Sequence, residues 1–317
     1  MHQKSLLIIG GSGFFGTSIL YFLLKNSSYN KKFNKIILLS RNIKNTQMSK
    51  DLKKKFKISL LKKDISKVKK LPYADYVLYC VTMDDHKQDY CAVTNYCNLA
   101  QKFHKSSKIL FTSSGAVYGQ QPKNLLSFKE NYLRKNKKIF FKSGYKKNYS
   151  KYKLLCEKKF QLLGKLNHKV SIARCFSFVG NFIPRNIHYV IGNIIESILK
   201  KQTINIQASY PIFRSIMHAD DLARWLLKIL FNSNNHCPVY NVGSDNAVSI
   251  QKLSKLLSIK YKVPLKLRNF TKKINLDRYI PNIGAAKKNL DLNIKFNSFE
   301  GICKTVRSIK KNAKKTN

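Results

Sequence analysis

The chain has 317 residues, with 61 lysines and arginines against 15 aspartates and glutamates, so its formal net charge is +46. The length suits one α/β domain with a smaller lobe. No apolar stretch reaches the roughly 18 residues that a membrane helix needs, and the seven cysteines form no C-x-x-C motif or metal-binding spacing. We therefore expect a cytoplasmic protein with reduced thiols, no membrane segment and no metal site.

The high positive charge raises the question of nucleic-acid binding. The lysines, however, are spread along the chain and are not gathered in one arm. Such a charge predicts nonspecific binding to polyanions at low salt, and it also favours the approach of an anionic substrate. A specific nucleic-acid function is the weaker hypothesis.

The first predicted element is a buried strand at Leu6–Ile9, followed at once by a turn with Gly10, Gly13 and Gly16. A helix is predicted over Thr17–Leu24. Strand, glycine-rich turn and helix in this order are typical of a dinucleotide site, because the turn lets the backbone approach a pyrophosphate and the helix N-terminus supplies N–H donors. The spacing departs from G-x-G-x-x-G, so a purely structural turn is the alternative.

The second predicted strand, Lys35–Leu39, ends in Ser40 and Arg41. In NAD-binding folds an acidic residue here bonds the ribose 2′-hydroxyl. A hydroxyl and a guanidinium suit a 2′-phosphate instead, so the pair favours NADP over NAD; the alternative is that Arg41 is an ordinary surface cation. Asp64, after a third strand at Lys57–Leu61, is a candidate contact near the adenine.

Two more strands are predicted, at Asp75–Val81 and Lys108–Thr112. Because strands alternate with helical segments, we expect an α/β fold with a doubly wound parallel Rossmann sheet. The NAD(P)-binding part is predicted to span residues 1–174, and the chain is expected to return to it around 215–243. Residues 175–317 otherwise form a smaller C-terminal substrate-binding lobe.

Tyr149 and Lys153 form a Tyr-x-x-x-Lys pattern in a predicted helix. Residues four apart share one face of a helix, and an ammonium held beside a phenol favours the phenolate. The pair therefore predicts a group that takes up or donates a proton at ordinary pH. Both residue types are frequent in this chain, so the pattern alone is weak evidence.

Several ordered motifs together are more specific. With the glycine turn and the Tyr149/Lys153 pair, the chain resembles the extended short-chain dehydrogenase/reductases, and within them the NAD(P)-dependent nucleotide-sugar epimerases, dehydratases and reductases. The segments that carry the resemblance are Phe111–Gly119, Ala173–Gly180, Arg214–Leu222, Tyr240–Ser244 and Arg278–Pro281.

The resemblance implies roles for individual residues. Ser114 corresponds to the hydroxyl that bonds the reacting oxygen of the substrate, Tyr149 to the general acid or base, and Lys153 to the lysine that binds the nicotinamide ribose. The implied cofactor contacts include Gly10, Gly13, Phe14 and Gly16, and the implied contacts to the phosphates of the sugar nucleotide are Asn193, Arg214 and Arg278.

One departure from the resemblance bears on the reaction. The dehydratases of the family carry an Asp-Glu pair directly after the serine or threonine, where this chain has Gly115 and Ala116. Neither residue transfers a proton, so dehydration is disfavoured and stands as an alternative.

The favoured function is hydride transfer at C4 of a nucleotide-diphosphate sugar, as a 4-epimerase or a 4-keto-reductase in cell-surface polysaccharide or deoxysugar synthesis. The cofactor is NADP or NAD, with a slight preference for NADP. A homodimer is expected, because relatives dimerise through helices that correspond to Cys91–His104 and Tyr149–Leu163. A non-catalytic Rossmann protein that binds NADP or RNA is the alternative from a different class.

Overall fold

A parallel sheet forms the centre of the molecule. The computed structural model describes residues 4–42, 50–83, 85–136, 139–141, 143–185, 189–270 and 276–313, apart from the side chains of Lys50, Asp51 and Lys53. Within these residues the strands are, in chain order, β1 Lys4–Ile9, β2 Phe33–Ser40, β3 Lys57–Lys62, β4 Tyr76–Tyr79, β5 Lys108–Ser114, β6 Lys169–Cys175, β7 Ser177–Val179, β8 Ile204–Ile206, β9 Ile212–His218, β10 Val239–Val242, β11 Ala247–Ser249, β12 Leu265–Leu267 and β13 Asp277–Tyr279.

Helices cover both faces of this sheet. Across the same described ranges they are α1 Phe14–Lys25, α2 Ser27–Asn30, α3 Lys50–Lys55, α4 His86–Phe103, α5 Tyr132–Lys135, α6 Gly144–Lys165, α7 Val190–Leu199, α8 Ala219–Phe231, α9 Ile250–Tyr261, α10 Gly284–Leu290 and α11 Ser298–Ala313, with a 3₁₀ helix at Gly115–Tyr118. No helix in this described part of the chain is long and apolar enough to cross a membrane.

The central sheet has the strand order β10-β6-β5-β4-β1-β2-β3, and every pairing in it is parallel. Alternate residues of β1 explain the two helical layers. Leu6 and Ile8 pack into the core beneath α1 and α8, whereas Leu7 and Ile9 pack into the core beneath α4 and α6. A strand buried on both faces is mostly apolar, as Leu6–Ile9 is. The parallel sheet with helices packed on both faces confirms the predicted doubly wound α/β fold.

The strand order places a crevice at the carboxyl end of β1. From β1 the chain goes to β2 on one side, and β4 pairs with β1 on the other side. Ligands of open α/β sheets bind where the strand order changes direction in this way. The glycine turn after β1 and the Ser114 end of β5 both lie at this edge of the sheet.

A smaller group of elements lies beyond this edge. Strand β9 pairs with β7, β11 and β13, and β8 pairs with β12. Helices α7, α9 and α11 pack on these strands through a separate apolar core that includes Ile195, Ile216 and Leu257. This arrangement sets β13, with Arg278 and Tyr279, beside β9, with Arg214.

A buried ion pair joins the central sheet to α6. Arg174 on β6 donates from Nε and Nη2 to the two carboxylate oxygens of Glu157, at 3.0 and 2.8 Å. Ser113 donates to Glu157 at 2.6 Å, and Arg174 also donates to the Tyr118 hydroxyl at 2.9 Å. Both charged side chains are less than a tenth exposed. Removal of either one would therefore leave the other as an uncompensated buried charge.

We expect Arg174→Met to lower the free energy of unfolding by about 3–5 kcal/mol, because it leaves the buried Glu157 carboxylate without its partner. Urea denaturation followed by circular dichroism measures the loss. The double variant Arg174→Met/Glu157→Leu removes both charges and should recover part of the stability. A loss below about 1 kcal/mol in the single variant would show that the pair does not hold α6.

Candidate active site

The glycine turn after β1 has the geometry of an anion site. Gly10 adopts φ +93°, a conformation that favours glycine, and its N–H donates to Leu39 O at 2.8 Å. Gly13 precedes the first turn of α1 and has no side chain with which to cap it. The N–H groups of this first turn are therefore directed at the crevice and are available to a negatively charged group.

Added side-chain atoms would close this turn. A Cβ on Gly16 would lie 2.6 Å from the Cα of Gly11 and 2.8 Å from the carbonyl oxygen of Gly10, and a Cβ on Gly10 would lie 2.8 Å from Cys80 O. These neighbours are backbone atoms that do not swing away. Phe14, the first residue of α1, packs against the core and Phe15.

The residues predicted to select the cofactor meet at the end of β2. The Ser40 hydroxyl is 2.6 Å from the hydroxyl of Ser12 in the glycine turn. Arg41 is exposed and close to Asp64. Partial burial opposes ionisation of Asp64, but hydrogen bonds from Ser66 and the charge of Arg41 outweigh it and lower the pKa of this carboxyl.

The predicted catalytic side chains converge at the end of β5. Ser114 is the last residue of that strand and its Oγ accepts a bond from the N–H of Ala116 at 3.2 Å. Ser150, next to Tyr149 on α6, donates to Val117 O at 3.3 Å. This bond fastens the first half of α6 to the turn that follows Ser114. The structure thus brings Ser114, Tyr149 and Lys153 into one region.

Lys153 is fully buried on the inner face of α6. Its Nζ is 2.8 Å from Asp89 Oδ2, 3.3 Å from Thr82 Oγ1 and 5.8 Å from the centre of the Tyr149 ring. Burial opposes the charge, yet the Asp89 carboxylate and Tyr149 outweigh burial and raise the pKa of Lys153. The ammonium is therefore charged throughout the physiological range.

Tyr279 on β13 lies against the Ser114 turn, which is Ser114 together with the 3₁₀ helix Gly115–Tyr118 that follows it. Its phenol interacts with the Ser114 side chain and is close enough to Tyr149 for an electrostatic interaction with it. Burial raises the pKa of the Tyr279 phenol, so its hydroxyl stays protonated at neutral pH. A Cβ on Gly115 would lie 2.6 Å from this hydroxyl and 2.7 Å from the Phe176 ring.

The predicted substrate residues lie in two different environments. Arg214 donates to Asp277 Oδ1 at 3.1 Å and to the carbonyl of Phe213 at 2.9 Å, so its charge is partly compensated. Arg278 lies over the Phe213 ring, with 5.6 Å from Cζ to the ring centre, and lines a cavity of about 520 Å³. Asn193 is exposed on α7, on the side away from the buried isoleucines of that helix.

Two residues of α4 near Tyr149 and Lys153, the predicted catalytic pair, were missed by the sequence analysis. They are Asp89, the counter-charge of Lys153, and His86, whose ring centre is 5.2 Å from that of Tyr149. A pattern in the sequence points to the first of them. The buried positions of α4 follow a helical repeat that includes Ala92, Val93 and Tyr96, and Asp89 lies on that stripe. A carboxylate on an apolar stripe needs a buried partner.

The described residues contain no group of three or more His, Cys, Asp or Glu side chains that could hold a metal ion. All seven cysteines are free, and five of them are buried.

Comparisons with known proteins identify the family of this chain. The sequence matches the NAD dependent epimerase/dehydratase family over residues 6–243. The chain belongs to this family. A search of curated protein sequences finds no match.

Solved structures share the fold over almost the whole chain. The dTDP-glucose 4,6-dehydratase of Streptomyces venezuelae has 16% identity and a TM-score of 0.78, covering 98% of each chain. The UDP-N-acetylglucosamine 4-epimerase of Methanobrevibacter ruminantium has 18% identity and a TM-score of 0.77, over 98% of this chain and 100% of that one. The UDP-glucose 4-epimerase of Thermotoga maritima has 18% identity and a TM-score of 0.76, over 98% and 99%.

The site fits the dinucleotide that the family uses. The glycine turn is too narrow for any side chain at Gly16, and α1 presents uncapped N–H groups to it. These are the features that a pyrophosphate requires. Ser40 lies beside Ser12 of this turn, and Arg41 lies close to Asp64, so the residues predicted to contact the adenine ribose are at the end of β2 next to the turn.

We expect Gly16→Ala to weaken NAD(H) binding at least about tenfold, which corresponds to about 1.4 kcal/mol. The added methyl would force the backbone of the turn apart. Fluorescence titration with NADH measures the affinity. Gly144→Ala on α6 is the matched control, because a Cβ there meets no atom within 4 Å, and it should bind NADH as the unaltered protein does. Equal binding by both variants would contradict the assignment of the turn.

Proposed function

We propose that the protein transfers hydride at C4 of a nucleotide-diphosphate sugar, as a 4-epimerase or a 4-keto-reductase. The main support for this proposal is the geometry of the Ser114 turn. Ser114, Tyr149 and Lys153 are present together, while Tyr279 and Phe176 leave no room for a side chain at Gly115, the position after Ser114. The acid that the dehydratases of the family carry at that position has no room here, so the arrangement supports oxidation and reduction without loss of water.

The chain supplies the proton chemistry of this reaction. Ser114 bonds the C4 oxygen, and Tyr149 takes its proton when the alcohol becomes a ketone or returns one when the ketone is reduced. The Lys153 ammonium, 5.8 Å from the Tyr149 ring, stabilises the phenolate form. The nicotinamide supplies the hydride acceptor or donor.

Two features bear on the choice between epimerase and reductase. Ser40 and Arg41 suit a 2′-phosphate, which favours NADPH and hence a reductase. Two of the three solved structures reported above are 4-epimerases by name, which favours an epimerase. A 4,6-dehydratase also shares the fold, but the closed position after Ser114 argues against that reaction for this chain.

We further propose that the protein is a cytoplasmic homodimer whose interface includes α4 and α6. These helices pack side by side on one face of the sheet. Leu162 on α6 is half exposed and Tyr145 is two-thirds exposed, which leaves apolar surface for a second copy.

The test of the function is an absorbance and mass analysis of the small molecule that copurifies with the protein. Bound NAD(H) supports an epimerase that recycles its cofactor. No bound cofactor, with NADPH oxidised only after a 4-keto-sugar nucleotide is added, supports a reductase. Absence of both, together with RNA binding that persists at physiological salt, would overturn the enzyme proposal.

We expect Tyr149→Phe to reduce turnover by about 10²–10⁴-fold, the usual contribution of a positioned acid or base. NADH binding, measured by fluorescence, should be unchanged. Tyr152→Phe removes a hydroxyl from the same helix, one turn closer to its C-terminus than Tyr149, and should keep its activity. Turnover retained in Tyr149→Phe would remove this residue from the mechanism.

We expect Arg41→Ala to lower the preference for NADPH over NADH by about 10–100-fold, the range of a hydrogen bond to a charged group. Competition binding with both cofactors measures the ratio. Lys57→Ala is the control, because Lys57 is an exposed cation at the amino end of β3, the opposite end of the sheet. An unchanged ratio in Arg41→Ala would show that the protein does not select NADP through this residue.

A further inference from the structure

The first turn of α4 directs two side chains at the proposed catalytic pair of α6. His86 and Asp89 are three residues apart and so share one face of α4. The His86 ring lies 5.2 Å from the Tyr149 ring, centre to centre, and Asp89 Oδ2 lies 2.8 Å from Lys153 Nζ. Tyr149 and Lys153 are likewise one turn apart, so the two helices meet through paired positions.

The Lys153 ammonium needs a counter-charge because it is buried. Its exposed fraction is 1%, and the Phe111 ring covers it at 5.7 Å. An isolated ammonium in such a place loses its hydration and tends to release its proton. Thr82 contributes a neutral oxygen at 3.3 Å, which does not compensate a full charge.

The other titratable groups that face Lys153 do not supply that charge. Apart from Tyr149, the proposed proton-transfer group itself, they are Cys156 from α6 and Cys175 from β6. Burial raises the pKa of Cys156 to about 12 and that of Cys175 well above its usual range, so both thiols stay protonated. Tyr79 on β4 faces Asp89, and burial raises the pKa of that phenol as well. Asp89 is therefore the carboxylate that compensates Lys153.

We propose that Asp89 is a positioning residue of the active site, whose carboxylate keeps the buried Lys153 ammonium charged and fixed beside Tyr149. The inference rests on the proposed function, because it concerns the lysine of the proposed catalytic pair. Asp89 touches neither the substrate nor the cofactor in this role and acts only through Lys153.

Loss of the Asp89 carboxylate should change the pKa of Lys153 in a definite direction. With Asp89 present the pKa of Lys153 is raised, so the charged form persists until the pH exceeds the ordinary range of a lysine. Without the carboxylate, burial dominates and lowers that pKa. Lys153 then loses its proton at a lower pH, and Tyr149 loses its neighbouring cation there.

The test compares Asp89→Asn with Asp85→Asn. Asp85 caps the same helix by accepting from the N–H groups of Lys87 and Gln88, at 2.8 and 3.4 Å, and it is exposed. Asparagine keeps that cap, so each variant removes one negative charge from the same end of α4. We expect the alkaline limb of the kcat profile to move down by about one pH unit or more in Asp89→Asn, with KM for the sugar nucleotide changed less than about threefold.

Asp85→Asn should keep the profile of the unaltered protein. If both variants have the same profile as the unaltered protein, Asp89 has no role in setting the charge of Lys153. If the unaltered protein turns over no sugar nucleotide with either cofactor, the proposed function fails, and the Asp89 inference is judged by stability alone.

Stability gives a readout that does not need activity. Rising pH lowers the stability of both proteins, because burial raises the pKa of thiols such as Cys156, so the quantity to compare is the urea midpoint of Asp89→Asn relative to the unaltered protein at each pH from 7 to 9.5. The deficit of Asp89→Asn relative to the unaltered protein should be largest at pH 7 and shrink towards pH 9.5, since a neutral Lys153 needs no partner. A variant that is unfolded at pH 7 but folds at pH 9.5 supports the proposal. A stability deficit that does not change with pH overturns it.

Discussion

The ion pair between Arg174 on β6 and Glu157 on α6 is buried between the central sheet and helix α6. Glu157 lies one turn after Lys153 and two turns after Tyr149, so the same face of α6 carries all three side chains. Ser113, which also bonds Glu157, is the residue before Ser114. Rotation of α6 would leave two charges without partners in the interior, and this cost fixes the direction in which Tyr149 and Lys153 point.

The same principle explains where the few acidic residues lie. The chain has only 15 of them, and Asp89, Glu157 and Asp221 are almost completely buried. Asp221 accepts from Arg224 at 2.8 Å and from the backbone of Lys295 at 3.0 Å. Loss of a buried acid leaves its partner uncompensated, whereas a surface acid contributes little to stability. A surface that has become strongly positive is therefore compatible with an intact fold.

On the substrate side, the charges are balanced differently. Arg214 is held by Asp277 across the β9–β13 pairing, while Arg278, the next residue after Asp277, faces a cavity. Tyr279 then turns back to the Ser114 turn. Three consecutive residues of one short strand thus connect the phosphate side of the proposed substrate to the reacting end. The geometry of the proposed substrate pocket depends on how β13 pairs with β9.

Five strands of the central sheet were predictable because each contains a short apolar run, such as Leu6–Ile9, which is typical of strands in parallel sheets. Leu6–Ile9 and the glycines that follow it were recognisable for the same local reason, since a turn that approaches a pyrophosphate admits no side chain. Tyr149 and Lys153 could be paired from their spacing, because a helix sets that geometry within one turn. The division into two lobes and the homodimer remain predictions.

Other features of the site depend on contacts between residues far apart in the chain. Asp89 meets Lys153 only because α4 and α6 pack on the same face of the sheet, and nothing near either residue in the sequence shows that contact. Tyr279 reaches Ser114 only through the pairing of β13 with β9. Local patterns decided which segments become strands, turns and helices, because the backbone and its neighbours set those conformations. The packing of the helices and strands decided which charges compensate one another, because burial creates the need for a partner and tertiary contact supplies it.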